Sequence, residues 1–213
     1  MKKRLSALTC AACLCAALAL PAAAAGAPAA SVPAYTDVAA DAWYAEAVEA
    51  VSLGGYMTGT SEAAFSPNAA VTRATVVTVL WRLEGAPAFS VEAPFPDAAA
   101  GAWYETAAAW SKGKGIAAGN DKGRFNPDSA VTRQELAVLL HRYAQYKGGD
   151  VAEGTLSLYS DAASISAWAR EGMAHAVGLG LIQGSDGRID PGGAATRAQL
   201  AVILQRLMTP AMG

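Results

Sequence analysis

Phe125-Asn126-Pro127-Asp128-Ser129-Ala130-Val131-Thr132-Arg133-Gln134-Glu135-Leu136 holds a turn, a helix start and one charge that is out of place. Thr132 and Glu135 have the spacing of a capping box. The hydroxyl accepts the backbone N–H three residues on, and the carboxylate returns to the N–H of the cap. Arg133 then falls at the first helical position, beside unpaired N–H donors and the positive end of the helix dipole. That end prefers an anion, so the cation gains nothing for the helix and needs another reason to be there.

Working outward, the same arrangement occurs three times. Tyr35-x-Asp37, Phe95-x-Asp97 and Tyr159-x-Asp161 open three units. Trp43, Trp103 and Trp168 follow, then Gly59, Gly119 and Gly184. Next come Phe65-x-Pro67, Phe125-x-Pro127 and Ile189-x-Pro191, and last Thr72-Arg73, Thr132-Arg133 and Thr196-Arg197. Aspartate and arginine are 36 residues apart in every unit, and tryptophan and glycine 16. Unit three gains a residue before its tryptophan and loses one before Ile189, so its total is kept. The repeats are bounded at 35–87, 93–147 and 157–208.

Each unit reads as helix, loop, helix. In unit one Asp41 is the expected N-cap of the first helix, and Tyr44, Ala47, Val48 and Val51 trace one buried face. Gly54-Gly55 should end that helix, as should Gly113 and Gly115 in unit two and Gly178 and Gly180 in unit three. The second helix starts at each Thr-Arg pair. Its apolar residues, such as Val76, Val77, Val79, Leu80 and Leu83, cover more than a narrow stripe, so it should be the more buried helix. The loop between has room for a short strand or two at most. One unit alone buries little. Three are expected to close around a shared centre built from the second helices, giving one mainly α domain from Tyr35 to about Met208.

The first 25 residues read as a secretory signal peptide. Lys2-Lys3-Arg4 is basic, Leu5 to Leu20 is apolar, and Ala23-x-Ala25 is a cleavage signal. The apolar run is shorter than the ~20 residues of a spanning helix, and no later stretch is apolar enough to span a membrane. Residues 26–34 read as a flexible lead-in. Cys10, Cys13 and Cys15 all lie in the signal, so the mature chain has no disulfide, thiol nucleophile or cysteine metal site. Removing Lys2, Lys3 and Arg4 from the 16 basic side chains leaves 13 against 18 acidic ones, a net charge of −5. That balance argues against a nucleic-acid partner.

No nucleophile elbow, phosphate loop or zinc helix is present, and no metal or cofactor is expected. His141 and His175 sit at non-equivalent repeat positions and read as partly buried or surface residues. Asn120 to Gly123 and Ser185 to Arg188 lack the acidic spacing of calcium loops and read as turns. The repeated set is more telling. A tryptophan offers a flat face for a sugar ring, or else anchors the first helix in the core. The aspartates read as loop caps or as partners of the arginines within a unit. The glycines let a ligand approach backbone N–H groups, or serve turns. An arginine at a helix start combines a bidentate fork with the positive end of the dipole, which suits a carboxylate or phosphate.

Three units of [FY]-x-D…W…G…[FI]-x-P…T-R resemble the S-layer homology domain of bacterial surface proteins. Val131-Thr132-Arg133-Gln134-Glu135 is close to that family's Thr-Arg-Ala-Glu hallmark, and the resemblance covers essentially the whole mature chain. It implies a pseudo-threefold spindle whose grooves hold a secondary cell-wall polysaccharide on peptidoglycan, commonly one with a pyruvate-ketal sugar. The implied role is a secreted, non-catalytic anchor at the surface of a Gram-positive-type envelope. Arg73, Arg133 and Arg197 would pair with the ligand's anion. Asp37, Asp97, Asp161, Trp43, Trp103, Trp168, Gly59, Gly119 and Gly184 would support them. Two other readings compete: a structural surface-layer protein acting by self-assembly or with a surface-protein partner, and a wall-remodelling enzyme, for which no catalytic constellation is visible. Unit one has Thr75 in place of the hallmark glutamate, and unit three has Gln199 there, Ala169 in place of Tyr44 and Tyr104, and Ile189 in place of phenylalanine. Unequal grooves are expected, with the arginine best framed in unit two. No cargo domain is expected after Gly213.

Overall fold

Each unit contributes two α-helices, and their ends follow the punctuation of the sequence. In the computed structural model the described residues are 35–90, 95–149 and 152–209, all within one unit of the chain spanning 31–213. The signal segment and the lead-in lie outside them. The first helices are α1 (Ala45–Leu53), α3 (Glu105–Gly113) and α5 (Arg170–Gly178). The second are α2 (Arg73–Leu83), α4 (Arg133–Tyr146) and α6 (Arg197–Met208). Among the described residues the remaining regular structure is three short 3-10 turns and isolated β-bridges, and no helix is long and apolar enough to cross a membrane.

The first helices end at glycines that turn the chain through the left-handed region, with φ of 69° at Gly55, 71° at Gly115 and 65° at Gly180. Ala47, Val48 and Val51 are buried as the spacing predicts. Asp41 is not the cap. Two tight turns precede α1, from Ala42 N–H to Ala39 O and from Ala45 N–H to Ala42 O, so the helix begins three residues late. Asp41 is left as an exposed turn residue and Tyr44 holds the N-cap place without a side-chain bond. Glu46, Glu105 and Glu171 put an acid in the first turn of each first helix, which the dipole favours.

Helix packing runs between units. The closest pairs are α2 with α3, α4 with α5, and α6 with α1, so each second helix lies against the first helix of the next unit, and unit three returns to unit one. Gly172 permits the close approach of α5 to α4. A Cβ there would stand 3.0 Å from Val138 Cα on α4. The second helices are joined at their starts rather than paired along their lengths. Val71 N–H donates to Ala195 O, Ala195 N–H to Val131 O, and Val131 N–H to Val71 O, each at 2.9 Å, which closes a cycle of three bonds. All three residues are buried, and their modest side chains let the backbones meet. Bridges Ala70 to Thr196, Thr72 to Ala130 and Thr132 to Ala194 flank the cycle.

One continuous core results, with Trp110, Phe65, Phe125, Leu80, Leu140 and Leu204 fully buried. The connectors add cross-ties. Trp81 Nε1 donates to Pro87 O, while Glu84 accepts from the Tyr143 hydroxyl and from Lys147 Nζ in unit two. Burial, with the Glu84 carboxylate alongside, pushes the Tyr143 phenol well above its ordinary range.

Candidate functional site

The second helices start as their sequences predict, and the unit-to-unit differences are visible. Thr72, Thr132 and Thr196 each accept the N–H of the third helical residue. Glu135 and Gln199 complete the box, whereas Thr75 offers only a hydroxyl, 2.9 Å from that of Thr72. The other first-turn donors are also spent. Arg73 and Ala74 N–H groups donate to Ser129 O and Pro127 O, those of Arg133 and Gln134 to Gly193 O and Pro191 O, and those of Arg197 and Ala198 to Ala69 O and Pro67 O. The helix ends are therefore satisfied by the next unit and are not open anion sites.

This explains the cation. Each arginine reaches sideways to the next unit's loop. Arg73 Nε and Nη2 donate to Phe125 O and Ala118 O (2.8 and 3.0 Å), Arg133 to Ile189 O and Gln183 O (2.7 and 2.8 Å), and Arg197 to Phe65 O and Thr58 O (2.7 and 2.6 Å). Arg73 and Arg197 also lie over the Phe125 and Phe65 rings, at 5.3 and 4.6 Å. Ile189 replaces that ring beneath Arg133. Burial lowers the Arg133 guanidinium from its ordinary value and Asp190 and Asp161 oppose this, so it stays charged. The bracket uses two of the five N–H donors of each fork.

The aspartates clamp loops within their own units. Asp37 accepts from Phe65 and Ser66 N–H, Asp97 from Phe125 and Asn126, and Asp161 from Ile189 and Asp190, all at 2.7–2.9 Å. The second residue of each pair is left-handed, with φ of 57°, 55° and 50° at Ser66, Asn126 and Asp190, so the grip holds a conformation that non-glycine residues disfavour. The Phe65 and Ile189 N–H groups lead in holding the Asp37 and Asp161 carboxyls below their ordinary value. Burial pushes Asp97 up, but its two backbone donors outweigh that. The nearby arginines are not the Thr-Arg residues of the same unit. Arg124 and Arg188 stand 3.7 Å from Asp97 and Asp161, and Arg197 of unit three faces Asp37.

Gly59, Gly119 and Gly184 are required by close packing, not by φ. A Cβ would meet Ser61 O at 2.5 Å, Gly123 C at 2.6 Å, and Arg188 O within contact distance, respectively.

The tryptophans are not core anchors. Trp43, Trp103 and Trp168 are 67%, 64% and 60% exposed, and the first two stand edge-on to Tyr44 and Tyr104 at 5.2 and 5.3 Å. Trp43 lines a groove of about 630 Å³ with Arg133, Gln183, Gly184, Gln199 and Arg206. One groove thus draws its tryptophan from unit one, its arginine from unit two, and its glycine loop and helix wall from unit three. The helix pairing places the other two alike. Trp168 lies in the 3-10 turn against α4 of unit two, whose Gly119 loop Arg73 brackets, and Trp103 stands ahead of α3, which packs on α2 of unit one, whose Gly59 loop Arg197 brackets.

Sequence reasoning missed the helix wall. Arg206 Nη1 donates to Gly180 O and its Nη2 to Gln183 Oε1. Arg82, Arg142 and Arg206 each stand nine residues after the Thr-Arg arginine, a sixth repeated position that the sequence already shows. The histidines also differ from expectation. Both are buried and meet across α4 and α5 with ring centroids 4.8 Å apart, because the close approach at Gly172 brings distant repeat positions together.

A family profile described as the S-layer homology domain matches residues 34–77, 94–137 and 158–201. An endoglucanase of Bacillus sp. (strain KSM-635) is 33% identical over 181 residues, covering 82% of this chain and 18% of that protein. The surface-layer 125 kDa protein of Lysinibacillus sphaericus is 36% identical over 116 residues (51% and 10%), and the S-layer protein sap of Bacillus anthracis 26% over 173 residues (81% and 21%). The chain spans about a fifth or less of these relatives. It belongs to the S-layer homology domain family, and is a cell-surface anchoring module.

Proposed function

We propose that this member of the S-layer homology family is secreted and holds a secondary cell-wall polysaccharide, anionic through groups such as a pyruvate ketal, on peptidoglycan without acting on it chemically. The observation that carries this reading is the groove of Trp43, Arg133 and Gly184. An exposed indole face, braced by Tyr44, supplies a platform for a sugar ring. Beside it, a half-buried guanidinium keeps unspent N–H donors for a carboxylate. The backbone bracket fixes that fork in advance, so little side-chain entropy is lost when ligand binds.

The test is co-sedimentation of the mature protein with purified sacculi. Binding is expected to fall when acid strips the polysaccharide, and to fall again in Arg133→Ala at a temperature where the variant is folded. Equal sedimentation of stripped and intact sacculi would overturn the polysaccharide reading. Self-assembly is the competing reading, supported by the relatives named as surface-layer proteins. Light scattering during the same titration separates the two.

A further inference from the structure

The repeat equivalents of the Trp43 groove differ in charge. Gln199 lines that groove, and Glu135 holds the equivalent position in unit two, on the helix that follows the Gly119 loop bracketed by Arg73. That carboxylate is held in place by Thr132, whose N–H and hydroxyl both donate to Oε2, at 2.8 and 2.7 Å. Glu135 is also the leading charge that stabilises the Arg73 cation against burial, so the two residues sense each other across the unit boundary. The capping box that frames Arg133 therefore turns its acid toward the neighbouring groove.

Other differences point the same way. Arg133 has Ile189 beneath it, while the faces of Arg73 and Arg197 are taken up by phenylalanine rings. Arg188 lines the Trp43 groove and Arg124 holds its place in unit two, whereas unit one has Ala64 there, so this position sets apart only the loop that Arg197 brackets. Trp168 is followed by Ala169 and lacks the edge-on tyrosine of the other two tryptophans.

We infer that the Trp43 groove is the principal site for an anionic sugar, and that Glu135 is a specificity-determining residue that weakens the groove of Arg73 and Trp168 for anions. The inference rests on the polysaccharide reading for the class of ligand. It assigns this chain one strong anion site and two weaker ones. Glu135 acts through Arg73, as a positioned charge and not as a ligand contact.

The experiment is an NMR titration of the mature protein with a pyruvate-ketal N-acetylhexosamine, following the indole N–H signals, since Trp43, Trp168 and Trp103 each report one groove. Trp43 is expected to saturate first. Glu135→Gln keeps the cap, as Gln199 Oε1 does by accepting from Thr196 N–H at 3.1 Å. It should tighten the Trp168 site by roughly two- to fivefold, the scale of one exposed charge contact, and leave the Trp43 midpoint unmoved. The neutral hexosamine without its ketal should show no such gain. Three indoles titrating together, or an unmoved Trp168 midpoint in Glu135→Gln while wild type still sediments with sacculi, overturns this inference alone. Loss of polysaccharide-dependent sedimentation in wild type overturns the anchoring reading and this inference with it.

Discussion

Arg73→Met removes the guanidinium fork and keeps the apolar stem, so it isolates what the inter-unit bracket contributes. The bonds lost are those to Phe125 O at 2.8 Å and Ala118 O at 3.0 Å, with the contact 5.3 Å above the Phe125 ring. Two charge-assisted bonds at the low end of their range, since these carbonyls can rehydrate, and one cation–π contact together amount to about 3.5–4 kcal/mol. For a domain of this size that corresponds to a fall in Tm of roughly 7–16 °C. Thermal and urea unfolding of the mature protein measure it. The rings set an order within the series. Arg197→Met, above Phe65 at 4.6 Å, should cost at least as much, and Arg133→Met, above Ile189, less by about 0.5–1 kcal/mol. An Arg73→Met protein that melts within about 1 °C of wild type would refute the bracket role.

Trp43→Ala should leave Tm nearly unchanged, because the side chain is 67% exposed, while sacculus binding weakens by about tenfold, as expected for loss of one stacking platform. Thr75→Glu should complete the capping box of unit one and add about 0.5–1 kcal/mol in urea unfolding. Acid should unfold the domain through its loop clamps. Asp37, Asp97 and Asp161 titrate below 3.8 when folded, so their contribution is fully present above about pH 4 and is lost as pH falls through the folded values. The urea midpoint should be flat between about pH 5 and 7 and drop below about pH 4, with a smaller drop in Asp97→Asn. A midpoint that rises on acidification would contradict this.

The three registers, the helix starts at Thr72, Thr132 and Thr196, and the glycine stops were legible because capping and turn chemistry are local. What joins to what was not. A spacing of 36 residues between Asp37 and Arg73 is the same whether the arginine serves its own unit or the next, and only tertiary structure shows that it serves the next. For the same reason the tryptophan, glycine and arginine of one repeat look like one site, although the groove of Trp43 takes its arginine from unit two and its glycine from unit three. The exposure of Trp43 was not legible either, because it stands in the tight turns ahead of α1, where helical phase does not apply. Asp41 misled because a good capping residue says nothing about the turns that delay the helix.

The most direct measurement is a titration of the mature, isotope-labelled protein with a pyruvate-ketal wall-sugar fragment, read at the Trp43 indole N–H, the Gly184 amide and Arg133 Nε–H together. Saturable shifts of all three with one midpoint are predicted, since a single ligand would touch residues from all three units. Shifts that appear elsewhere first, or none at millimolar fragment from a protein that still binds sacculi, would contradict the account.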